Sequence, residues 1–273
     1  MRQERLGKEL RKLREQAGLG LREAARSTGI NESKLSNIET ARVGVSAARV
    51  RFLATHYEVG DTPLVDALAV MATERGRGWW EEYRGLLPRG FLDIAELEHH
   101  TTCLRTFEMV HIPGLLQTDE QVRAIYGRGA REMAAEQREL RTRFRLRRQE
   151  VLDRDDFAYE AVIHEAALRV RRADRGVARR QLLHILDQAE RPQVTLRVVP
   201  FDVDDFNIGY APLILSGPVP QLDTVLMDSP HGSTFLDAEA QLDRYRAAFV
   251  EVKKLALGVI ESREFVHHLV RHM

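Results

Sequence analysis

Apolar positions near the start of the chain repeat at helical spacing, in short runs. Leu6, Leu10 and Leu13 fall at i, i+4 and i+7 and predict a helix over 5–16, with Gly18 as its stop. A second helix is predicted over 21–28 and a third over 32–40, separated by Gly29, where a left-handed backbone costs least. After a loop at 42–45, Ser46 is the N-cap candidate of a fourth helix that turns Val50, Leu53 and Ala54 inward. Gly60 and Asp61 end it. Pro63 stands near the start of a fifth helix, whose stripe is Val65, Leu68, Ala69 and Ala72. Five short helices within 1–73 predict one all-α domain.

Residues 74–92 hold four Gly and one Pro, the composition of a connector. They also hold Trp79, Trp80, Tyr83 and Phe91, so the segment is expected to pack against the second domain rather than swing freely. From 93 to 273 the pattern becomes mixed. Strands are predicted at 106–112, 157–163, 194–200, 212–215 and 224–227, the clearest being VTLRVVP. Helices are predicted at 118–126, 131–152, 177–190, 238–257 and 261–270. This is the pattern of an α+β domain, a small sheet covered by helices. Leu242, Tyr245, Phe249, Val252 and Ala256 alternate by three and four, a stripe suited to a core or to a dimer contact.

A length of 273 residues suits about two domains. Net charge is zero, but it is unevenly placed. Residues 1–60 carry nine Arg and three Lys against seven Glu, a net +5, and the rest carries −5. A basic first module on an acidic body is the asymmetry expected when one end meets DNA. The single cysteine, Cys103, excludes an internal disulfide and a cysteine-based zinc site. Beside Leu104 and Phe107 it reads as a buried, inert thiol. The opening MRQERLGKEL has no apolar run behind its positive residues, and no stretch approaches the ~20 apolar residues of a membrane span. A cytoplasmic protein is expected.

The stretch GLREAARSTGINESKLSNIETAR reads as two helices joined by a tight turn. Ala25 is small where the two cross, and Ile30, Leu35 and Ile38 pin the second helix inward. Asn31 is its N-cap. Glu32, Ser33, Lys34, Ser36 and Asn37 remain on its outer face, all able to hydrogen-bond, as major-groove reading requires. The Ala-x3-Gly-x5-Leu-x2-Ile spacing, with Glu39 directly after Ile38, resembles the lambda-repressor-like, XRE-type helix-turn-helix regulators. GWWEEY, VHIPGLLQT, RRQEVL, VIHEAALR, RPQVTLRVVPF and LDRYRAAF, in that order, resemble a narrower group in which such a domain precedes an antitoxin-like C-terminal domain. The resemblance implies a transcriptional regulator that binds double-stranded DNA as a homodimer, often encoded beside a small partner protein, with no catalytic activity and no cofactor. It places Glu32, Ser33 and Asn37 at base edges, Lys34 near a base or phosphate, and Arg42 at a phosphate, with Asn31 as the cap. The chain departs from the group at the start of the second helix. Gly20 and Leu21 stand where Thr and Gln are common, which removes one phosphate anchor; Arg22 or Arg26 is the candidate replacement.

Other chemistry is sparse. His164-Glu165 opens like a zinc-protease motif, but Leu168 occupies the place of the second His. His99-His100 and His267-His268 are adjacent pairs that diverge on a helix. His231-Gly232-Ser233 is too short to mark a nucleophile, and no phosphate loop or dinucleotide fingerprint is present. The segment 131–148 carries seven Arg against Glu132, Glu136 and Glu139. Such a run suits an anionic partner or RNA, but Met133, Leu140 and Phe144 give it an inward stripe, so a solvated helix face is the expectation. Three readings remain open: a regulator whose C-terminal domain binds a partner or signal, an antitoxin that neutralises a small protein and autoregulates its operon, and a small-molecule receptor.

Overall fold

The computed structural model describes residues 1–74, 76, 78–129, 133–210, 212–229 and 232–273. Its first helix, α1, runs Arg2–Gln16, three residues earlier than the leucine repeat predicts. The extra turn is held from outside the helix. The Met1 ammonium lies 3.6 Å from Asp93 and 3.1 Å from Glu96, and Gln3 Nε2 donates to Met71 O at 3.0 Å. Next along the chain are α2 (Leu21–Thr28), α3 (Glu32–Glu39), α4 (Ala47–His56) and α5 (Thr62–Thr73). Ser46 caps α4 as expected, and Asp61, read from the sequence only as a helix break, caps α5. Ser46 Oγ accepts from Arg49 N, and Asp61 Oδ1 accepts from Leu64 N. The inward stripes are buried as predicted, Leu6, Leu10, Val50, Leu53 and Leu68 almost completely.

The chain divides into two compact units, Met1–Leu97 and Glu98–Met273. The aromatic segment after α5 falls in the first. Trp79–Tyr83 form a 3-10 turn, and Trp80 is buried. Then comes α6 (Arg89–His100), a helix obscured in the sequence by the Gly and Pro content around it. Leu92, Ile94, Ala95 and Glu98 are buried along it.

The second unit is built on a six-stranded sheet. Its strands are β1 (Cys103–Glu108), β2 (Ala158–His164), β3 (Val194–Val199), β4 (Leu213–Ser216), β5 (Thr224–Ser229) and β6 (Gly232–Leu236). They lie in the order β3-β2-β1-β4-β5-β6. The pairs β1–β2 and β2–β3 are parallel, and the others are antiparallel. Between β1 and β2 the chain forms α7 (Asp119–Gly129) and α8 (Ala135–Gln149), and between β2 and β3 it forms α9 (Glu165–Arg169) and α10 (Arg175–Gln188). The chain closes with α11 (Glu239–Leu255) and α12 (Val259–Arg271). Parallel strands need such crossovers and are buried on both faces. Phe107, Val162, Val199, Ile214 and Val225 pack with Leu242, Phe249 and Val252 of α11 on one face, while Leu104, Tyr159, Ala161 and Leu196 are buried on the other. The outer edge of β3 is covered by the last two helices: Val198 N donates to Ser262 Oγ and accepts, through its carbonyl, from Leu257 N.

Several expectations shift. The first strand begins at Cys103 and ends at Glu108 rather than running 106–112, because pairing with β4 sets its register from Cys103↔Ser216 onward. Strand β6 has no counterpart among the predicted strands; its leading Gly and Ser read as loop, yet it pairs with β5 from Gly232 to Leu236. The stripe on α11 serves the core of its own unit, with Tyr245 and Ala256 partly buried against it, so it is not a free dimer face. The arginines of α8 do not form one solvated face: Arg143 is exposed, but others turn inward. Arg148 is buried in a bidentate pair with Glu98, and Arg145 reaches Gln117. Arg131, Glu132 and His231 lie outside the described residues.

Gly7 of α1 meets the end of α3 at backbone distance. A Cβ there would stand 2.6 Å from Glu39 O and 2.8 Å from Ile38 O. Gly7→Ala is expected to lower unfolding stability by about 1–3 kcal/mol despite alanine's higher helix propensity, measured by urea titration.

Candidate nucleic-acid interface

The two helices around Gly29 are built as the sequence predicts. Gly29 takes φ +67°, a left-handed turn that ends α2 without a Cβ penalty. Ala24 and Ala25 are both buried at the crossing, and Thr28 closes the end of α2 by donating to Ala24 O at 2.6 Å. Asn31 starts α3, its side chain accepting from Ser33 N at 2.9 Å. Leu35, Ile38 and Glu39 are buried on the inner side. Ser33 and Asn37, one turn apart, centre the outer side, flanked by Ser36 and Lys34. Asn31, Glu32, Ser33, Lys34 and Arg42 are exposed, and Asn37 is half-buried. Among the described residues, the side chains of Glu32, Lys34, Asn37 and Arg42 have no hydrogen-bond or ion-pair partner in the chain.

What holds α3 at this angle is a buried ion pair. Arg14 of α1 grips Glu39 with two parallel bonds, Nε to Oε1 at 2.7 Å and Nη2 to Oε2 at 2.9 Å. Its third arm, Nη1, donates to Leu19 O at 2.7 Å, just before α2. Both side chains are under 10% exposed, at 7% and 5%. The bond to Glu39 keeps the guanidinium's proton affinity above its ordinary value. Tyr57, at the end of α4, is buried alongside. Burial first and the charge of Glu39 second push its phenol up to about 12, against the opposing charge of Arg14. Among the described residues the Tyr57 hydroxyl has no hydrogen-bond partner.

The far end of α3 contains a feature that no residue type announced. Ala41 sits at φ 56°, in the left-handed region usually left to glycine. Arg42 N and Val43 N both donate to Asn37 O, at 2.8 and 3.2 Å, and Ala41 N donates to Ile38 O. This is a Schellman-type stop built on alanine. It turns the chain sharply after Thr40 and fixes the backbone that carries Arg42. At the near end of α2, Gly20 caps without a side-chain bond, and Leu21 is only half-buried. Arg22 and Arg26 are exposed.

His99, His100, His164 and His268 of these motifs make local contacts. His164 Nδ1 accepts from Ala166 N as the cap of α9, and Glu165 is buried, accepting from Phe201 N. His99 and His100 contact each other edge to face, and His268 stacks on His272. Among the described residues no group of three or more His, Cys, Asp and Glu could hold a metal ion, and no helix is long and apolar enough to cross a membrane.

Glu39→Ala is expected to cost about 3–5 kcal/mol, because Arg14 is then buried without its counter-charge. Replacing the pair together by Met and Leu should recover most of that loss in the same denaturant titration. Ala41→Gly is expected to raise stability by about 1 kcal/mol, read as a higher Tm, by relieving the left-handed alanine.

Residues 5–68 match a family described as a helix-turn-helix domain. Residues 91–268 match a family described as a domain of unknown function, DUF5753. No curated protein and no solved structure matches the chain. The second match covers well over half of the sequence, so the chain belongs to the DUF5753 family, with a helix-turn-helix domain in its N-terminal part.

Proposed function

We propose that this chain is a sequence-specific transcriptional regulator of the cytoplasm. A DNA-binding domain at 1–73 and a connector at 74–92 precede a domain at 93–273 that binds a partner protein or signal. The observation that carries the reading is the split character of α3. Its inner side is locked by Leu35, Ile38 and the Arg14–Glu39 pair, while its outer side offers unpartnered polar groups. A duplex satisfies such groups. Asn37 is suited to adenine N6 and N7 and Glu32 to cytosine N4, each match contributing ~1–3 kcal/mol of discrimination. Ser33 and Lys34 reach neighbouring groups, Asn31 holds the helix start, and Arg42 meets a phosphate. A homodimer would present two such helices to half-sites ~34 Å apart.

One observation favours a partner-assisted version. The start of α2 has only Gly20 and Leu21, so it offers a backbone phosphate no side-chain oxygen or amide. A small protein encoded by a neighbouring gene, neutralised by the C-terminal domain in the manner of an antitoxin, would then tie DNA occupancy to partner level. Co-purification of that product with the full chain supports this version. If the chain purifies alone and binds its operator fully, the version fails.

The DNA reading is tested by titrating the full chain with its genomic target at several salt concentrations. Asn37→Ala should weaken specific binding by about tenfold and relax the preference at one base pair. Arg42→Ala should weaken binding to all sequences and reduce the log–log salt slope by ~0.9, one phosphate's worth. Unchanged binding in both variants would remove α3 from the interface.

A further inference from the structure

The carboxyl ends of parallel strands leave a crevice where loops diverge, a common place for ligands. Here the loop after β1 carries His111, the loop after α9 carries Arg172, and α8 brings Arg145 alongside. Arg172 Nη2 donates to His111 Nδ1 at 3.2 Å. That bond requires a neutral ring with its proton on Nε2, and it leaves Nε2–H free to donate. Burial first, then the charges of Arg172 and Arg145, hold the imidazole's proton affinity below its ordinary value.

Arg145 is positioned by neutral groups. Nη1 donates to Gln117 Oε1 at 3.0 Å, and the guanidinium lies 5.6 Å from the centre of the Tyr126 ring. Gln117 is itself fixed, donating to Ile112 O at 2.7 Å and accepting at its carbonyl from Gln149 Nε2 at 2.8 Å. Among the described residues neither Arg145 nor Arg172 has a carboxylate within 4.0 Å, and the Nε of each is buried without a partner. Arg148, on the next turn of α8, shows the contrast: its charge is cancelled by Glu98 through two short bonds.

We propose that Arg145, Arg172 and His111 form a binding site for the phosphoryl group of a small molecule, with Glu108 at its floor. The three side chains offer donors only. Two planar guanidiniums beside an imidazole N–H match a doubly charged tetrahedral oxyanion better than a lone carboxylate. Glu108 ends β1, and among the described residues its side chain makes no hydrogen bond or ion pair. Burial and the nearby Asp228 of β5 push its carboxyl up to about 7, against the charge of Arg145 from α8. Tyr159 of β2 also lies within its field. Below neutrality Glu108 therefore keeps a proton with which to donate to the anion, and above neutrality it repels the anion. This site does not depend on the DNA-binding reading.

The test is isothermal titration of the full chain with inorganic phosphate, with acetate at equal ionic strength as the comparison. Phosphate should bind and acetate should not. Arg172→Gln, on an exposed loop, and Arg145→Gln should each weaken phosphate binding by about tenfold or more, with far-UV circular dichroism unchanged for at least the loop variant. Arg42→Ala should leave it unaltered, which separates this site from phosphate captured by the DNA-reading helix. Sulfate keeps its charge across neutrality. Its binding should weaken between about pH 6 and about pH 8 in the native chain, and stay flat in Glu108→Gln. Absence of phosphate binding, equal binding in Arg172→Gln, or binding of acetate alone would overturn the proposal.

Discussion

The position of α3 depends on one interaction, the bidentate contact between Arg14 and Glu39. Two charges removed from water attract each other strongly but are costly to desolvate, so a buried pair is weak as a stabiliser and strong as a positioning device. Here it acts at the point where α1, the start of α2 and the end of α3 meet, since the same guanidinium also holds Leu19 O. Gly7 adds a steric requirement at the same junction by letting the backbones of α1 and α3 touch. An apolar contact could have filled that volume, but it would have tolerated sliding. The fork of Arg14 fixes rotation as well as distance, and so decides which side of α3 faces water.

Much of the first unit was legible because its elements are local. Leu6, Leu10 and Leu13 mark their own helix, and Gly29, Asn31, Ser46 and Asp61 mark ends that a short-range rule can find. The polar side of α3 was legible for the same reason. Ala41 was not, because alanine gives no signal for a left-handed backbone; only the surrounding hydrogen bonds impose it. The second unit was legible in type and less so in limits. Strands β2, β3 and β5 start within one residue of their predicted positions, whereas β1 is displaced because its neighbours, not its own residues, set its register. Helix α8 shows the sharper failure. Arginine in a helix reads as solvent-facing, and nothing local tells that Glu98 and Gln117 wait for Arg148 and Arg145 inside the fold.

That failure is instructive about the second unit's interior. Beneath its helices lie Thr106, Gln117, Gln121, Thr142, Gln181 and Glu98, all buried, in a region that a purely structural sheet packing would fill with aliphatic groups. Most are hydrogen-bonded to groups around them: the Thr106 and Tyr159 hydroxyls lie 2.9 Å apart, and Gln181 donates to Leu116 O. A polar interior of this kind rigidifies a fold only when its members are satisfied. Among the described residues, Arg145 and Arg172 each keep a buried Nε without a partner and Glu108 keeps an unbonded carboxyl, near where parallel strands end.

The strand register also has a consequence for synthesis. Contacts within the first unit can form as soon as its own helices have left the ribosome, because their partners are near in sequence. Strand β1 has no such neighbour: its parallel mate begins at Ala158 and its antiparallel one at Leu213, so Cys103–Glu108 stays unpaired until those segments have emerged. Non-local pairing of this kind folds slowly and leaves an apolar segment open to association while it waits. The nascent chain thus carries a helical head ahead of a sheet that cannot close until Leu213–Ser216 has emerged, and elongation stalled before that point would leave the head joined to an open second unit.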